Sequence, residues 1–521
     1  MIKRKTLWLV ILITATAALI RVLGTTWGLP VYLHPDEHTI VESALDMARR
    51  HSFEPHVFNR PDHLEIQINM LVDIVIAHVL FQLPLLKAAA VDHAAFYLSA
   101  RVITALFGAG MVGLAYSIGR QIKTSVGLIA AMLFAFFPGF IEFSHYATPD
   151  IPTGFLMLLT IRLCIAYIKQ PSKRNVALIS LSVALFIAVK YPGAILAVFP
   201  LLVIAHRGVT DRRWWRASGH ALLSLVLIPF FLFVISPILF TDYPAVIHAL
   251  RVESATSRAG AEGLGFAGNL LYYAGLYISF SGLILTAFFV LGFCALWKQK
   301  RREVYLPILF SFIYTFSLSA VGLHWERWAV PMYVSPLLVT AIGIDCAWTK
   351  WHVIKYGRFA VAFCLAVAAS NMLMASSAKL AVFLVPDSRV LARAYCAQHG
   401  MTAANTAYEG YTPFEPTAPR PLSAFRKVDQ QYVPKHATVR YVILSNWMYP
   451  RYLHDARFAK EAVMYRSIMQ DNRLIHQLSP PVLRRSAFEV VNMYDSIHYL
   501  VALKQAHAAG PLLKIYRIDK K

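Results

Sequence analysis

Residues 270–297 read LLYYAGLYISFSGLILTAFFVLGFCALW, twenty-eight positions without one charged side chain. That run exceeds the roughly 20 residues a helix needs to cross a hydrocarbon core. Lys298, Lys300, Arg301 and Arg302 follow at once, as basic residues do on the cytoplasmic side of a span. Similar runs lie at about 6–23, 94–119, 125–143, 152–168, 175–190, 191–206, 218–240, 304–322, 328–348 and 359–384. Eleven spans put the basic clusters at 120–123, 169–174, 207–216, 298–302 and 350–358 all on one side. The fold class predicted is therefore a polytopic α-helical membrane protein with about 11 transmembrane helices.

Composition agrees. Apolar residues make up 57% of the 521 positions and charged residues 15%, against roughly 45–50% and about 25% in soluble domains. Mean hydropathy is +0.52. The net charge of +22 is divided among short inter-span clusters rather than gathered on one face, which speaks against nucleic acid. Cys164, Cys294, Cys346 and Cys364 lie in apolar segments and Cys396 stands alone in the polar tail, so no zinc spacing is present.

The apolar run at 6–23 follows Lys3, Arg4 and Lys5 and reads as an uncleaved anchor with a cytoplasmic N-terminus. A segment at 64–86 is apolar but carries Glu65, Gln67, Asn69 and Asp73. A full span there would reverse the side of Arg120 and Lys123, so an interfacial or re-entrant helix is expected. Residues 385–521 hold 19 Lys+Arg and 10 Asp+Glu with no long apolar run. They read as a small α/β soluble domain with a strand at 438–444 and a helix at 389–398, external by parity. The expected organisation is a membrane domain over 1–384, with a first external loop at 29–93, and a soluble domain over 385–521.

Charge at a membrane rim is costly, so the exceptions point to chemistry. The first loop opens with His34, Pro35, Asp36, Glu37 and His38, a compact acid/base or cation-binding group; helix capping accounts equally for Asp36 and Glu37. A second rim site is Ser144-His145-Tyr146-Ala147-Thr148-Pro149-Asp150, where Asp150 is either a functional carboxylate or a cap. Arg60 and His63 lie in a third, FNRPDH at 58–63, where Arg60 suits a phosphate. Lys190 sits between two apolar half-runs, and its bland account is snorkelling. Arg327 lies in HWERW at 324–328, among tryptophans that an interfacial belt explains. No phosphate-cradling glycine loop is present, so no nucleotide cofactor is expected.

Taken in order, these motifs resemble the GT-C glycosyltransferases that include protein O-mannosyltransferases and the lipid A aminoarabinose transferase. The resemblance runs through RVLGTTWGLP at 21–30, His34-Pro35-Asp36-Glu37, Asn59-Arg60-Pro61, the 144–150 block, Lys190-Tyr191-Pro192-Gly193 and Glu326-Arg327-Trp328. It continues in Pro386-Asp387-Ser388-Arg389 and in Tyr441-Val442-Ile443-Leu444. It implies a catalytic carboxylate at Asp36, with Glu37 its neighbouring acid and Asp150 the second acidic position. Arg60, where the aminoarabinose branch often has lysine, is implied to contact donor phosphate, with Lys190 and Arg327 as further donor contacts. His34, His63, His145 and Tyr146 complete the candidate site.

The implied donor is a polyprenyl-phosphate sugar; the acceptor is a lipid, glycan or protein hydroxyl, and transfer inverts the anomeric carbon. Asp36 and Asp150 are hard oxygen ligands for Mg²⁺ or Mn²⁺ if a divalent metal takes part. Asp36, at a partly desolvated rim, is expected to have a raised pKa that suits a base. The implied setting is a bacterial inner membrane with a periplasmic C-terminal domain. The competing reading is a flippase for a lipid-linked sugar, which would place its site nearer the midplane between two related halves.

Overall fold

The computed structural model describes residues 2–255, 264–298, 305, 307–351, 354–428, 431–483, 486 and 489–518. Most of the basic cluster at 298–302 and part of the expected span at 304–322 lie outside them. Among the described residues, nine helices are long and apolar enough to cross a membrane. The chain is a multi-pass helical membrane protein with a small sheet-containing C-terminal domain.

The count differs from eleven for local reasons. The run at 125–143 breaks into Thr124–Phe136 and Pro138–Phe143. Phe137 is extended (φ −70°, ψ 122°) because a residue before proline is pushed out of the helical region. The carbonyls freed there are capped by Arg21, fully buried, which donates to Phe134 O at 2.9 Å and Ala135 O at 3.0 Å. A cation at a helix C-terminus is favourable in both charge and hydrogen bonding. The helix Lys173–Val189 has 17 residues, and Phe310–Ser319 is the described helix within 304–322.

The segment at 64–86 brings the chain back to the side it left: His93 pairs with Glu42 at 2.9 Å and Tyr97 with His38 at 2.9 Å, and both partners lie on the helix that follows Asp36, as an interfacial or re-entrant helix requires. His63–Phe81 is long and apolar enough to span. Its polar residues do not face an interface: Glu65, Asn69 and Asp73 are buried, while Leu71, Val75 and Val79 on the opposite face are more than half exposed. One polar stripe turned into the bundle and one apolar stripe turned outward is the pattern of a helix that borders lipid on one side only.

Close helix contact sets the centre of the bundle. The helical segment Gly265–Lys298, broken in two at Gly282 (φ 74°), crosses helix Val334–Lys350 at Gly292 and Gly343. A Cβ on Gly343 would strike the carbonyl oxygen of Phe288, and one on Gly292 that of Val339. Small residues are what allow such backbone approach in a membrane. Gly343→Val is therefore expected to cost about 1–3 kcal/mol through overpacking, read as a lower melting temperature in detergent.

The C-terminal domain opens with helix Ser388–Gln398, N-capped by Asp387. Its sheet uses β1 (Thr406–Tyr408), β4 (Tyr441–Ser445), β5 (Arg473–Leu478) and β6 (Leu513–Arg517), in the order β1-β4-β6-β5. β1 pairs parallel to β4 and the other pairs are antiparallel, while β2 (Phe425–Val428) and β3 (Gln431–Pro434) form a separate hairpin. Val442, Ile443 and Leu444 on the central strand are fully buried. Arg389 ties this domain to the first loop by donating to Leu33 O at 2.9 Å.

Candidate functional site

Each charged group of the site stands where a helix starts or breaks. Asp36 immediately precedes helix Glu37–Arg49, yet its side chain makes no cap. Asp150 opens helix Asp150–Lys169 behind Pro149. Lys190 is an extended residue between Val189 and a 3₁₀ turn at Tyr191–Ala197 that Pro192 begins. Arg327 lies in the 3₁₀ turn Glu326–Ala329, before Pro331. Arg60 precedes Asp62, which adopts a left-handed conformation (φ 48°) at the head of helix His63–Ile76, one that aspartate tolerates better than most residues. Unwound backbone at membrane-rim depth is tolerated where it lines a cavity.

These segments converge. One oxygen of Asp36 lies 2.9 Å from the Arg60 guanidinium and the other 2.8 Å from that of Arg327. Arg327 also reaches Asp150 at 3.7 Å, and Lys190 donates to Asp150 at 2.7 Å. Arg60 binds Asp62 at 2.7 Å on its other edge. The Lys190 ammonium sits 5.4 Å over the Trp328 ring, a cation–π contact that snorkelling to headgroups does not require. Five of the residues singled out from sequence, Asp36, Arg60, Asp150, Lys190 and Arg327, thus line one cavity of about 670 Å³. Leu250, Leu318, Val321 and Leu323 supply its apolar wall.

The capping accounts of Asp36 and Asp150 do not describe these side chains. An N-terminal carboxylate gives up its backbone partners here for guanidinium and ammonium groups, a stronger class of contact. The electrostatics also correct one expectation. Burial pushes the Asp36 carboxyl up, but Arg327 and Arg60 outweigh it and hold it well below the usual carboxylate range. Asp62 goes the other way: burial raises it to about 6 against the pull of Arg60.

The remaining candidates lie outside this cavity. Glu37 turns away from Asp36 and is fully buried against Arg101, with both carboxylate oxygens engaged at 2.7 and 2.8 Å. His63 binds Val57 O at 2.8 Å, and the ring nitrogens of His145 lie 2.7 Å from Ile141 O and from Leu23 O. Burial lowers His145 to about 4, and a neutral ring donates its single N–H to one of those two carbonyls. His34 stacks on Tyr146 at 4.4 Å, and both border a second, smaller cavity beyond Arg327. Sequence reasoning passed over Asp62, Trp328, Tyr191 and the leucines of the wall. Asp62, Tyr191 and Trp328 had a signal, as neighbours of Arg60, Lys190 and Arg327.

A divalent cation fits these residues poorly. Among the described residues no three His, Cys, Asp or Glu side chains are grouped as a metal site. Asp36 and Asp150 also face three cationic side chains, which compete for the lone pairs a metal would need. The same surroundings suit an anion, since Arg60, Lys190 and Arg327 reach one space from three directions.

Residues 12–248 match the family model for dolichyl-phosphate-mannose-protein mannosyltransferase. The matched region carries Asp36, Arg60, Asp150 and Lys190 and ends before Arg327. Among solved structures, an oligosaccharyltransferase of Archaeoglobus fulgidus, in complex with zinc and sulfate, is similar at 13% identity and a TM-score of 0.55. The similarity covers 98% of this chain and 88% of that one. The archaeal oligosaccharyltransferase AglB from the same organism, in complex with an inhibitory peptide and a dolichol-phosphate, gives 12%, 0.54, 99% and 88% in the same terms. ArnT from Cupriavidus metallidurans bound to undecaprenyl phosphate gives 15%, 0.47, 75% and 72%. No curated protein matches the chain significantly.

Proposed function

We infer that this chain, similar over residues 12–248 to the dolichyl-phosphate-mannose-protein mannosyltransferases and folded like the oligosaccharyltransferases, is a GT-C membrane glycosyltransferase. Its donor is a polyprenyl-phosphate sugar. The observation that carries this reading is the 670 Å³ cavity: three cations and two carboxylates on one side, leucines on the other. An amphiphile with an anionic head and an aliphatic tail needs both walls. The compartment is the outer face of a bacterial inner membrane, with the N-terminus cytoplasmic, the membrane domain spanning 1–384 and the soluble domain 385–521 external.

In the reaction the acceptor oxygen attacks the anomeric carbon and its proton passes to Asp36. The carbon–oxygen bond to phosphate breaks with its electron pair going to the phosphate oxygen, and a single displacement inverts the carbon. Arg60, Lys190 and Arg327 neutralise the charge that develops on the leaving phosphate. Before the donor arrives, Asp36 is paired with two guanidiniums and is a weak base. A phosphate that draws Arg60 and Arg327 toward itself loosens those pairs and raises the basicity of Asp36. Donor binding thus arms the base, which favours donor-first order.

The test offers purified protein a panel of polyprenyl-phosphate sugars together with a native membrane extract, and follows free polyprenyl phosphate by mass spectrometry. Release from one donor supports the transferase. No release from any donor, with donors carried between leaflets of vesicles, supports the flippase instead. Arg60→Ala is expected to raise donor KM by about 10–100-fold, since charge-assisted contacts contribute about 1.5–3 kcal/mol, with acceptor KM little changed.

The pH dependence follows from Asp62. Its carboxyl ionises near pH 6, so the site gains one positive charge as pH falls through that value. A donor phosphodiester keeps its single negative charge throughout. Donor KM is therefore expected to fall between pH 7.5 and pH 5, both values bracketing about 6, and Asp62→Asn should flatten that change.

A further inference from the structure

The smaller cavity, of about 230 Å³, lies between the membrane domain and the C-terminal domain, and Arg327 borders both it and the larger one. Its walls come from the first loop at His34 and Pro35, the Glu142–Thr148 region, Trp325 and, from the soluble domain, Arg389, Tyr411, Trp447 and Arg451. Three polar groups that line it are buried and have no protein partner: the indole nitrogens of Trp27 and Trp325 and the hydroxyl of Thr148. Thr148 is 1% exposed and Trp27 7%. Buried donors without partners cost stability unless a ligand or water completes them. Such groups converging beside a charged centre mark a binding site.

We propose that this cavity holds the acceptor, and that the acceptor is a saccharide presenting one hydroxyl past Arg327 toward Asp36; this rests on the transferase reading. The aromatic content decides the class. Trp447 and Tyr411 meet edge to face at 5.7 Å, Trp27 and Tyr146 likewise at 5.7 Å, and Arg451 lies 5.5 Å over Tyr411. A pyranose ring offers C–H faces to such rings and hydroxyls around its rim to indole N–H, threonine and guanidinium groups. An extended peptide would want backbone partners, and none of the lining residues belongs to a strand. Because Pro35 borders this cavity and Asp36 the larger one, the loop stands between the two substrates, where a base that links them must be.

The experiment uses the full chain in lipid nanodiscs and the methyl glycosides of glucose, galactose, mannose and N-acetylglucosamine as probes, with binding read by saturation-transfer NMR. At least one glycoside should bind. Thr148→Val and Trp447→Ala should each weaken it by about tenfold, the equivalent of about 1.4 kcal/mol, with binding of undecaprenyl phosphate unchanged. Trp447 is 40% exposed, so its replacement leaves the fold intact, which the melting temperature verifies. No glycoside binding, equal binding by wild type and both variants, or binding of a serine peptide that Trp447→Ala alone removes would each overturn the proposal. The two readings fail separately. Without transferase activity the glycosides still bind, and without a saccharide site the wild type still releases polyprenyl phosphate in a membrane extract.

Discussion

Asp36→Asn is expected to lower polyprenyl-phosphate release by about 10²–10⁴-fold, the range general-base removal produces, in a protein that still folds. The amide keeps the shape of the carboxylate and one acceptor oxygen, so the loop before helix Glu37–Arg49 has no steric reason to move. The ion pairs it gives up involve side chains 17–24% exposed. Arg60 keeps Asp62 and Arg327 keeps Asp150 as partners, so neither cation is stranded and the stability loss stays at about 1–3 kcal/mol. Donor binding should hold or improve, because Arg60 and Arg327 lose a competing anion while Lys190 stays with Asp150. The signature is thus kcat collapsing with donor KM unchanged or lower. Uniform loss of both parameters would indicate a binding role, and turnover within threefold of wild type would remove Asp36 as the base.

The positions of the site were legible in the sequence because rim charge is expensive and proteins keep few of them without use. Asp36, Arg60, Asp150, Lys190 and Arg327 were all visible in that way, although five separate stretches carry them. Their pairing was not legible. That Asp36 meets Arg60 and Arg327 is a tertiary fact, and it inverts the pKa expected from desolvation alone. His63 and His145 drew attention as titratable groups, but their ring nitrogens serve backbone carbonyls, a use that composition cannot distinguish from catalysis. The spans show the same division. Apolar length located the helices, whereas the break at Phe137 depended on Pro138 and on Arg21 coming from 113 residues away to cap Phe134. The polar stripe of His63–Phe81 was legible, but that it faces the inside of the bundle was not, because such a stripe reads alike whether it meets water or protein.

Glu37→Ala is expected to be lost as a folded protein rather than as a catalyst. Glu37 and Arg101 are fully buried and bidentate. Arg101 also donates to Thr25 O at 2.7 Å and Trp27 O at 2.6 Å, and Glu37 accepts from Ala147 N at 3.0 Å. The pair therefore joins the lead-in to the first loop, the helix that follows Asp36, a membrane span and the turn before Asp150. Removing one partner strands a charge in the interior, a loss of about 3–5 kcal/mol, and releases both carboxylates of the site at once. Arg101→Ala should behave the same way. Glu37→Leu combined with Arg101→Met removes both charges while keeping apolar bulk, and should melt closer to wild type than either single alanine variant. Melting curves in detergent, read beside turnover, decide between the two roles. A Glu37→Ala protein that melts with the wild type yet turns nothing over would make Glu37 a participant in the chemistry. Recovery of melting temperature and of some turnover in the double variant would make it the strut that aims Asp36 and Asp150 at one another.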